Sequence, residues 1–193
     1  PLRETLAASI VLATEWGKNP AEAFVAPMCG SGTLAIEAAW IAQNRAPGLE
    51  RDDYAFLRLD GADAEAWRTL KAEARAKFTA APRTWIAASD VDAQAIACAR
   101  ENAGRAGVEG LIRFHTCDFR DTPLAKPPAM ILMNPEYGER MGAEERLVTL
   151  YEAIGSYFKE KCRGMRALVF TGNLPLGRKI GLHPVRRTAM WNG

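Results

Sequence analysis

Short apolar runs alternate with longer amphipathic segments along most of this chain. Runs of four or five apolar residues, each closed by a breaker or a polar residue, predict buried strands. Apolar residues spaced three and four positions apart predict the helices between them. The predicted strands cover 23–26, 85–88, 112–115, 129–133 and 166–170, with a sixth candidate at 184–190. The predicted helices cover 1–16, 34–42, 63–80, 93–106 and 147–158, and 44–61 is expected to be irregular.

This alternation predicts an α/β fold with an open, mostly parallel sheet and helices on both faces. A length of 193 residues, with 48% hydrophobic and 25% charged residues, fits one globular domain over 1–193. No apolar run approaches the roughly 18 residues of a membrane-spanning helix, so we expect no membrane partner. In such a sheet, ligands bind beyond the carboxyl ends of the strands, where the strand order reverses. The polar and glycine-rich signals of this chain follow strands, so we expect the functional site at that edge.

Charge is unevenly distributed, although the formal net charge is only +2. Residues 156–193 contain eight Lys and Arg residues against one acid, whereas residues 1–155 contain 17 bases and 22 acids. A basic end on a near-neutral body is typical of a polyanion-facing surface, or of loops with solvated side chains. Under the first interpretation, this stretch makes salt-sensitive contacts to nucleic acid.

Cysteine and histidine residues are few and scattered. They stand at Cys29, Cys98, Cys117, Cys162, His115 and His183. No C-x-x-C pair occurs, and neither a metal site nor a disulfide framework is expected from this spacing. We therefore expect free, mostly buried thiols in a reducing, cytoplasmic compartment.

The segment 27–33, with the sequence PMCGSGT, is the first candidate ligand site. Gly30 and Gly32 allow positive φ and close backbone approach, and the helix that follows directs free N–H groups at the turn. The spacing Gly30-x-Gly32-x-x-Ala35 also matches the dinucleotide fingerprint. A tight turn without a ligand is the alternative interpretation. A second glycine-rich stretch, 172–177, has phosphate-loop spacing but continues with Arg-Lys instead of Lys-Ser/Thr, so we assign it no phosphate role.

Two acidic residues follow the next two predicted strands. Asp90 can accept hydrogen bonds from ribose hydroxyls, or it can cap the next helix, for which Asp92 is better placed. Asp90 lies 58 positions after Gly32, whereas an NAD site expects its acid about 20 positions after the glycines. Asp118 can accept from an adenine amino group while Phe119 lies against the ring, or it can be a solvated loop residue.

The segment 134–140, with the sequence NPEYGER, follows an apolar strand and is the most specific motif. The amide oxygen of Asn134, together with a backbone carbonyl held rigid by Pro135, can accept both N–H bonds of an exocyclic amino group. This holds the nitrogen lone pair toward a sulfonium methyl while Tyr137 stacks on the flat base. The chemistry then rests on positioning and electrostatics, and the proton can leave after the methyl arrives. A base inside a helix has to be unstacked to reach such a pocket. A plain turn is the alternative.

The two motifs PMCGSGT and NPEYGER together resemble the AdoMet-dependent RNA guanine-N2 methyltransferases, especially the bacterial 23S ribosomal RNA enzymes with an upstream THUMP domain. The opening PLRETLAA and the later RAPGL, at 45–49, are also similar to that family's catalytic domain. The resemblance implies a Rossmann-like, class I methyltransferase fold and S-adenosylmethionine as cofactor. It implies cofactor contacts from the glycine turn and from the two acids, at Pro27, Cys29, Gly30, Gly32, Thr33, Asp90, Asp118 and Phe119. It also implies that Asn134, Pro135 and Tyr137 receive the target amino group, with Glu136 and Arg140 contacting the RNA substrate.

Two positions depart from the family pattern. Ala26 stands where the family has an acid before the proline, which removes one polar anchor near the amino acid end of the cofactor. Glu136 stands where the family has a second proline, and its carboxylate can repel phosphate or accept from a guanine edge. The family's sheet also continues after residue 193, and an RNA-binding module precedes residue 1. We therefore expect a fragment of a longer chain that lacks the last strand or strands of the sheet, with an edge that a partner covers or that frays.

Three other functions fit parts of the same sequence. An adenine-N6 methyltransferase acting on DNA or RNA would use the same Asn-Pro-x-Tyr chemistry. An NAD-dependent oxidoreductase would use the glycine turn and leave 134–140 without a role. A non-catalytic module that binds RNA or AdoMet is suggested by Ala26 and Glu136.

Overall fold

The computed structural model describes residues 2–19, 22–49, 51–138 and 144–191. Its strands are β1 (Ala23–Pro27), β2 (Ile86–Asp90), β3 (Ile112–Thr116), β4 (Ala129–Met133) and β5 (Arg166–Val169). Its α-helices are α1 (Glu4–Ala13), α2 (Thr33–Ala42), α3 (Ala64–Ala76), α4 (Ala93–Arg105), α5 (Glu144–Lys161) and α6 (Leu174–Lys179). Within the described ranges, the strands form one parallel sheet in the order β3-β2-β1-β4-β5.

The sheet is covered by helices on both faces, which explains why its central strands are apolar throughout. On β1, Phe24 and Ala26 pack into a core shared with α1, α2 and α4, whereas Val25 packs on the opposite face with α5. Side chains of a strand alternate between faces, so a strand buried on both sides reads as a continuous apolar run. The predicted α/β layering is confirmed.

The strand order reverses between β1 and β4, which are neighbours in the sheet. Val25 of β1 is level with Ile131 of β4, so these two strands end side by side. The turns that follow them flank the crevice where open parallel sheets bind ligands. Both central sequence motifs therefore lie at one edge of the sheet.

The first five predicted strands and the five predicted helices are all present, with bounds shifted by a few residues. The sixth strand candidate, 184–190, is wrong, because the structure has no strand there. Pro184 offers no N–H to a ladder, and this mostly exposed segment passes from α6 to the α1 side, where Arg186 donates to the Ala13 carbonyl. The short helix α6 was missed, because its six residues include a proline and a glycine and are too few to show a period.

The described residues 44–49 and 51–61 of the excursion between α2 and β2 are irregular, as predicted, apart from one 3-10 turn at 55–58. Asp63 caps α3 by accepting from the Glu65 and Ala66 amides, as its position predicts. Lys71 is the buried residue of this helix and donates to Asp52 at 2.7 Å, Trp67 and Ala74 are partly buried, and the other residues are exposed. The segment 44–85 connects the C-terminal end of α2 to the start of β2. It lies on the side of the sheet opposite the strand ends that carry the motifs.

All four cysteines are free thiols, but the expectation that they are mostly buried is wrong. Cys162 is buried and Cys98 is exposed, while Cys29 and Cys117 are partly buried. No helix in the described ranges combines the length and apolar character needed to cross a bilayer.

Candidate active site

The turn between β1 and α2 has an unusual backbone. Met28, Gly30 and Gly32 have φ values of 58°, 53° and 83°, which lie in the left-handed region. A Cβ on Gly32 would lie 2.9 Å from the Cβ of Ala99 on α4, so glycine is required there by both conformation and packing. A Cβ on Gly30 would meet nothing within 4 Å, so open space lies over this part of the turn.

The turn is tied to the end of β2 by Asp90. Its Oδ2 accepts from the Gly30 amide at 2.9 Å and its Oδ1 accepts from the Asp92 amide at 3.0 Å. The Cys29 amide also donates to the Ser89 carbonyl at 2.8 Å. Each carboxylate oxygen of Asp90 keeps further acceptor capacity for a hydroxyl. Asp92 accepts from the Gln94 amide and is the cap of α4, so the alternative cap role for Asp90 is not the one observed.

Two other residues of the turn have distinct surroundings. Burial and the negative charge of Asp90 raise the pKa of Cys29 to about 12. This thiol therefore stays protonated at neutral pH and is not a nucleophile. Thr33, the first residue of α2, pairs its hydroxyl with that of Ser31 at 3.2 Å, and Pro27 is fully buried.

Asp118 lies beside Asp90, because the Cys117 amide donates to the Asp90 carbonyl at 3.0 Å. The carboxylate of Asp118 accepts from the Arg120 guanidinium at 2.7 and 2.9 Å. This bond holds the pKa of Asp118 below its ordinary value, so the group is an anion at neutral pH. The ring of Phe119 is 6% exposed and packs edge-on against Tyr157, so it lies in the core and not at the loop tips where stacking on adenine was expected.

Asn134 is the first residue after β4, and its amide oxygen is buried without a hydrogen-bond partner. Among the described residues, Gln43, His115 and Tyr157 also have a buried polar atom in this condition. Those three lie at the end of α2, within β3 and on α5, whereas Asn134 adjoins the strand reversal and the glycine turn. An orphaned buried acceptor costs about 1–3 kcal/mol and calls for an explanation.

The rest of this motif presents a buried proline followed by exposed side chains. Pro135 is buried, and Glu136 forms an ion pair with Arg146 in the first turn of α5. Tyr137 is 38% exposed, and its ring lies against the backbone of Gly172. Arg140 lies outside the described residues.

Ala26, which stands where the family has an acid, is a core residue in this structure. Its side chain is fully buried in the core shared with α1, α2 and α4. Position 26 therefore contributes an apolar side chain to the core and no carboxylate to the edge of the sheet.

Three basic residues of the C-terminal stretch are held by other parts of the protein. Arg166 lies at the start of β5 and binds both oxygens of the buried Glu22, and Lys161 lies 3.8 Å from Asp121. Arg166 and Glu22 are at the opposite edge of the sheet from Asn134, whereas Lys161 also donates to the Arg120 carbonyl and so lies near Asp118. Arg186 is also held, at the Ala13 carbonyl. Arg166 and Arg186 thus lie together near the end of α1, apart from Lys161.

The structure therefore brings the glycine turn, Asp90, Asp118, Asn134 and Tyr137 to the carboxyl ends of neighbouring strands. Sequence reasoning missed Gly172, which was considered only for phosphate-loop spacing. Its signal is its place directly after the strand next to β4.

A parallel sheet with this order, a glycine turn after β1 and an Asn-Pro motif after β4 define a Rossmann-like, class I methyltransferase fold. The chain belongs to the family described as RMKL-like, methyltransferase domain, whose model matches residues 1–193. This membership decides against the NAD-dependent oxidoreductase.

Known proteins similar to the chain are named as methyltransferases or methylases. The ribosomal RNA large subunit methyltransferase K/L of Allochromatium vinosum is 40% identical over all of this chain and 27% of its own length. The solved structure of SMU.472 complexed with SAH matches with a TM-score of 0.90 and 30% identity, over all of this chain and 50% of that one. A structure from Listeria monocytogenes, named as a predicted N6-adenine-specific DNA methylase, matches with a TM-score of 0.83 and 32% identity, over 96% of this chain and 48% of that one. The chain thus spans about a quarter of its first curated relative.

Proposed function

We propose that this chain is the catalytic domain of an S-adenosylmethionine-dependent RNA methyltransferase that modifies guanine N2 in 23S ribosomal RNA. One observation carries the proposal: the buried amide oxygen of Asn134 has no protein partner beside the glycine turn. An exocyclic amino group is a donor of the right kind for this acceptor. The name of the curated relative supports ribosomal RNA as the substrate.

The described residues fit S-adenosylmethionine. The space over Gly30 gives room for the cofactor, and the free N–H groups in the first turn of α2 suit its carboxylate. Asp90 and Asp118 are neighbouring acceptors for ribose hydroxyls and the adenine amino group. The buried ring of Phe119 is left without a stacking role in this proposal. When bound, the cofactor supplies an electrophilic methyl group.

The residues after β4 would prepare the nitrogen that receives this methyl. Asn134 accepts one N–H of the amino group, and a backbone carbonyl held by Pro135 accepts the other. Tyr137 stacks on the base, which fixes the direction of the nitrogen lone pair. No described residue has to act as a strong base, because the proton is lost after the nitrogen becomes cationic.

The RNA contacts of Glu136 and Arg140 remain part of the proposal. The ion pair with Arg146 neutralises the Glu136 carboxylate and so reduces its repulsion of phosphate. We also propose that an upstream THUMP-type module, outside this chain, contributes to the choice of nucleotide, and that the enzyme works in the cytoplasm, where its RNA substrate is.

The test is Asn134→Ala, assayed for methyl transfer from S-adenosylmethionine to unmodified 23S ribosomal RNA. We expect kcat to fall about 100-fold or more, because the hydrogen bond that orients the target amino group is lost. The affinity for S-adenosylhomocysteine and the melting temperature should stay the same or rise, because the variant removes an unsatisfied buried acceptor.

Gln43→Ala is the matched control, because Gln43 also has an orphaned amide oxygen but lies at the opposite edge of the sheet. It should keep the wild-type rate. An Asn134→Ala variant with the full rate would refute the proposed role. If the wild type transferred no measurable methyl group and the Asn134→Ala variant lost RNA binding, a non-catalytic module would be favoured instead.

Adenine N6 is the second candidate target, supported by the name of the Listeria relative. The same acceptor pair suits both amino groups. Mass spectrometry of nucleosides from the reacted RNA separates the two, since N2-methylguanosine is expected and N6-methyladenosine would overturn the guanine assignment.

A further inference from the structure

The ring of Tyr137 rests on the turn that follows β5. β5 is the neighbour of β4, and the Phe170 amide continues their pairing by donating to the Met133 carbonyl at 2.9 Å. A Cβ built on Gly172 would lie 2.8 Å from Cε2 and 3.1 Å from Cδ2 of Tyr137. The ring therefore occupies the place that any side chain at position 172 would need.

The backbone of Gly172 gives no other reason for a glycine. Its φ lies outside the left-handed region that favours this residue. Alanine could adopt the same conformation without backbone strain. The contact with Tyr137 is thus the feature of this position that a larger residue would change.

The turn under the ring is braced from the protein interior. The hydroxyl of Tyr151, a fully buried residue of α5, lies 2.8 Å from the hydroxyl oxygen of Thr171. The same Thr171 oxygen accepts from the Asn173 amide at 3.1 Å. Asn173 in turn caps α6 by accepting from the Leu176 amide at 3.1 Å. These bonds hold Gly172 between two fixed neighbours.

We propose that Gly172 is a positioning residue for methyl transfer, and that its missing side chain sets the height at which Tyr137 meets the target base. This inference rests on the proposed function. Tyr137 touches the base, and Gly172 acts through Tyr137. We call the turn 171–173 under the ring the seat, and the bonds described above hold it rigid. The ring is therefore positioned before the base arrives, and little conformational entropy is left to be lost on binding.

The variant Gly172→Ala tests the seat directly. The added methyl would displace the ring by up to about 1 Å, and a misplacement of that size can lower a rate roughly 100-fold. We expect kcat to fall about 10- to 100-fold, while KM for RNA and the affinity for S-adenosylhomocysteine change less than about twofold. Gly110→Ala is the control, because Gly110 is exposed, has no left-handed φ and has nothing within 4 Å of its Cβ position.

A double-mutant cycle with Tyr137→Ala separates positioning from a general structural role. If Gly172 acts through the ring, Gly172→Ala has no further effect on kcat once Tyr137 is alanine. The same loss in both backgrounds, or a wild-type rate in the single variant, would overturn the proposal. If Gly172→Ala does not fold, the pair Thr171→Val and Thr171→Ser replaces it. The valine variant should lower kcat and the serine variant should restore it.

A measurement without turnover keeps this inference distinct from the proposed function. In the free protein, the Hα protons of Gly172 should show nuclear Overhauser contacts to the Tyr137 ring, and these should weaken in Thr171→Val. If the wild type lacks these contacts, the packing of the Tyr137 ring on Gly172 is refuted, whether or not the protein methylates RNA. Contacts present in a protein that methylates no RNA would keep the seat but refute the proposed function and the role built on it.

Discussion

At the scale of single residues, Glu37 shows how burial and a like-charged neighbour change the charge of a carboxyl group. It lies on α2, is 7% exposed, and has Glu4 of α1 as a charged neighbour. Burial, followed by the repulsion from Glu4, raises the pKa of Glu37 to about 7. The carboxyl is therefore partly protonated at neutral pH, unlike Asp118, whose bond to Arg120 keeps it charged.

Glu37→Gln should stabilise the protein at high pH. Because the folded-state pKa lies above the ordinary value of 4.5, the folded state binds the proton more tightly, and stability is lost as pH rises from about 4.5 through 7. The variant removes this loss, so its free energy of unfolding should exceed that of wild type by roughly 1–3 kcal/mol at pH 8 and by a few tenths at pH 4.5. Urea unfolding at both pH values measures it. Glu73→Gln, an exposed change on α3, is the control, and an advantage independent of pH would contradict the assignment.

At the scale of elements, the contact between α2 and α4 depends on the glycine turn. Asn102 of α4 donates to the Ser31 carbonyl at 3.0 Å, and Ala99 fills the space beside Gly32. The turn, the start of α2 and the middle of α4 thus form one packed unit. Any side chain at position 32 would separate the two helices.

Gly32→Ala and Gly61→Ala form a matched pair that isolates this contact. Both glycines have nearly the same positive φ, 83° and 82°, but a Cβ on Gly61 meets nothing within 4 Å. Gly61→Ala should cost about 1–2 kcal/mol of strain. Gly32→Ala should cost roughly 1–3 kcal/mol more through overpacking, and it should weaken S-adenosylhomocysteine binding. Chemical denaturation measures the difference, and equal losses would show that packing against Ala99 is unimportant.

At the scale of the whole molecule, the residues proposed to bind the cofactor and the base come from the ends of four different strands. The glycine turn follows β1, Asp90 ends β2, Asp118 follows β3 and Asn134 follows β4. A ligand that spans the first three of these turns binds only the folded sheet. It should therefore stabilise the entire domain.

S-adenosylhomocysteine should raise the melting temperature by about 5–10 °C at 100 times its Kd. This corresponds to roughly 2.7 kcal/mol of linkage in a domain of this size. Thermal scanning with and without the ligand measures the shift, and NAD at the same concentration should give none. A shift with NAD alone would contradict the cofactor assignment.

Much of this molecule could be predicted from local signals in its sequence. Strands follow from short apolar runs closed by breakers, helices follow from a period of 3.6 residues, and the motifs at 27–33 and 134–140 are contiguous in the chain. Because each motif follows a strand, their common edge was predictable as well. Whether the cofactor and base contacts assigned there are correct stays a prediction for the experiments above.

Tertiary structure decided the contacts between distant residues. The bond from Gly30 to Asp90 spans 60 positions, and Tyr137 meets Gly172 across the β4–β5 pair. It also placed Phe119 in the core and brought Arg166 of the basic C-terminal stretch to the buried Glu22, 144 positions away. The physical reason is that a period reports only which way a side chain points from its own element. Which neighbour it meets depends on the order in which the strands pair.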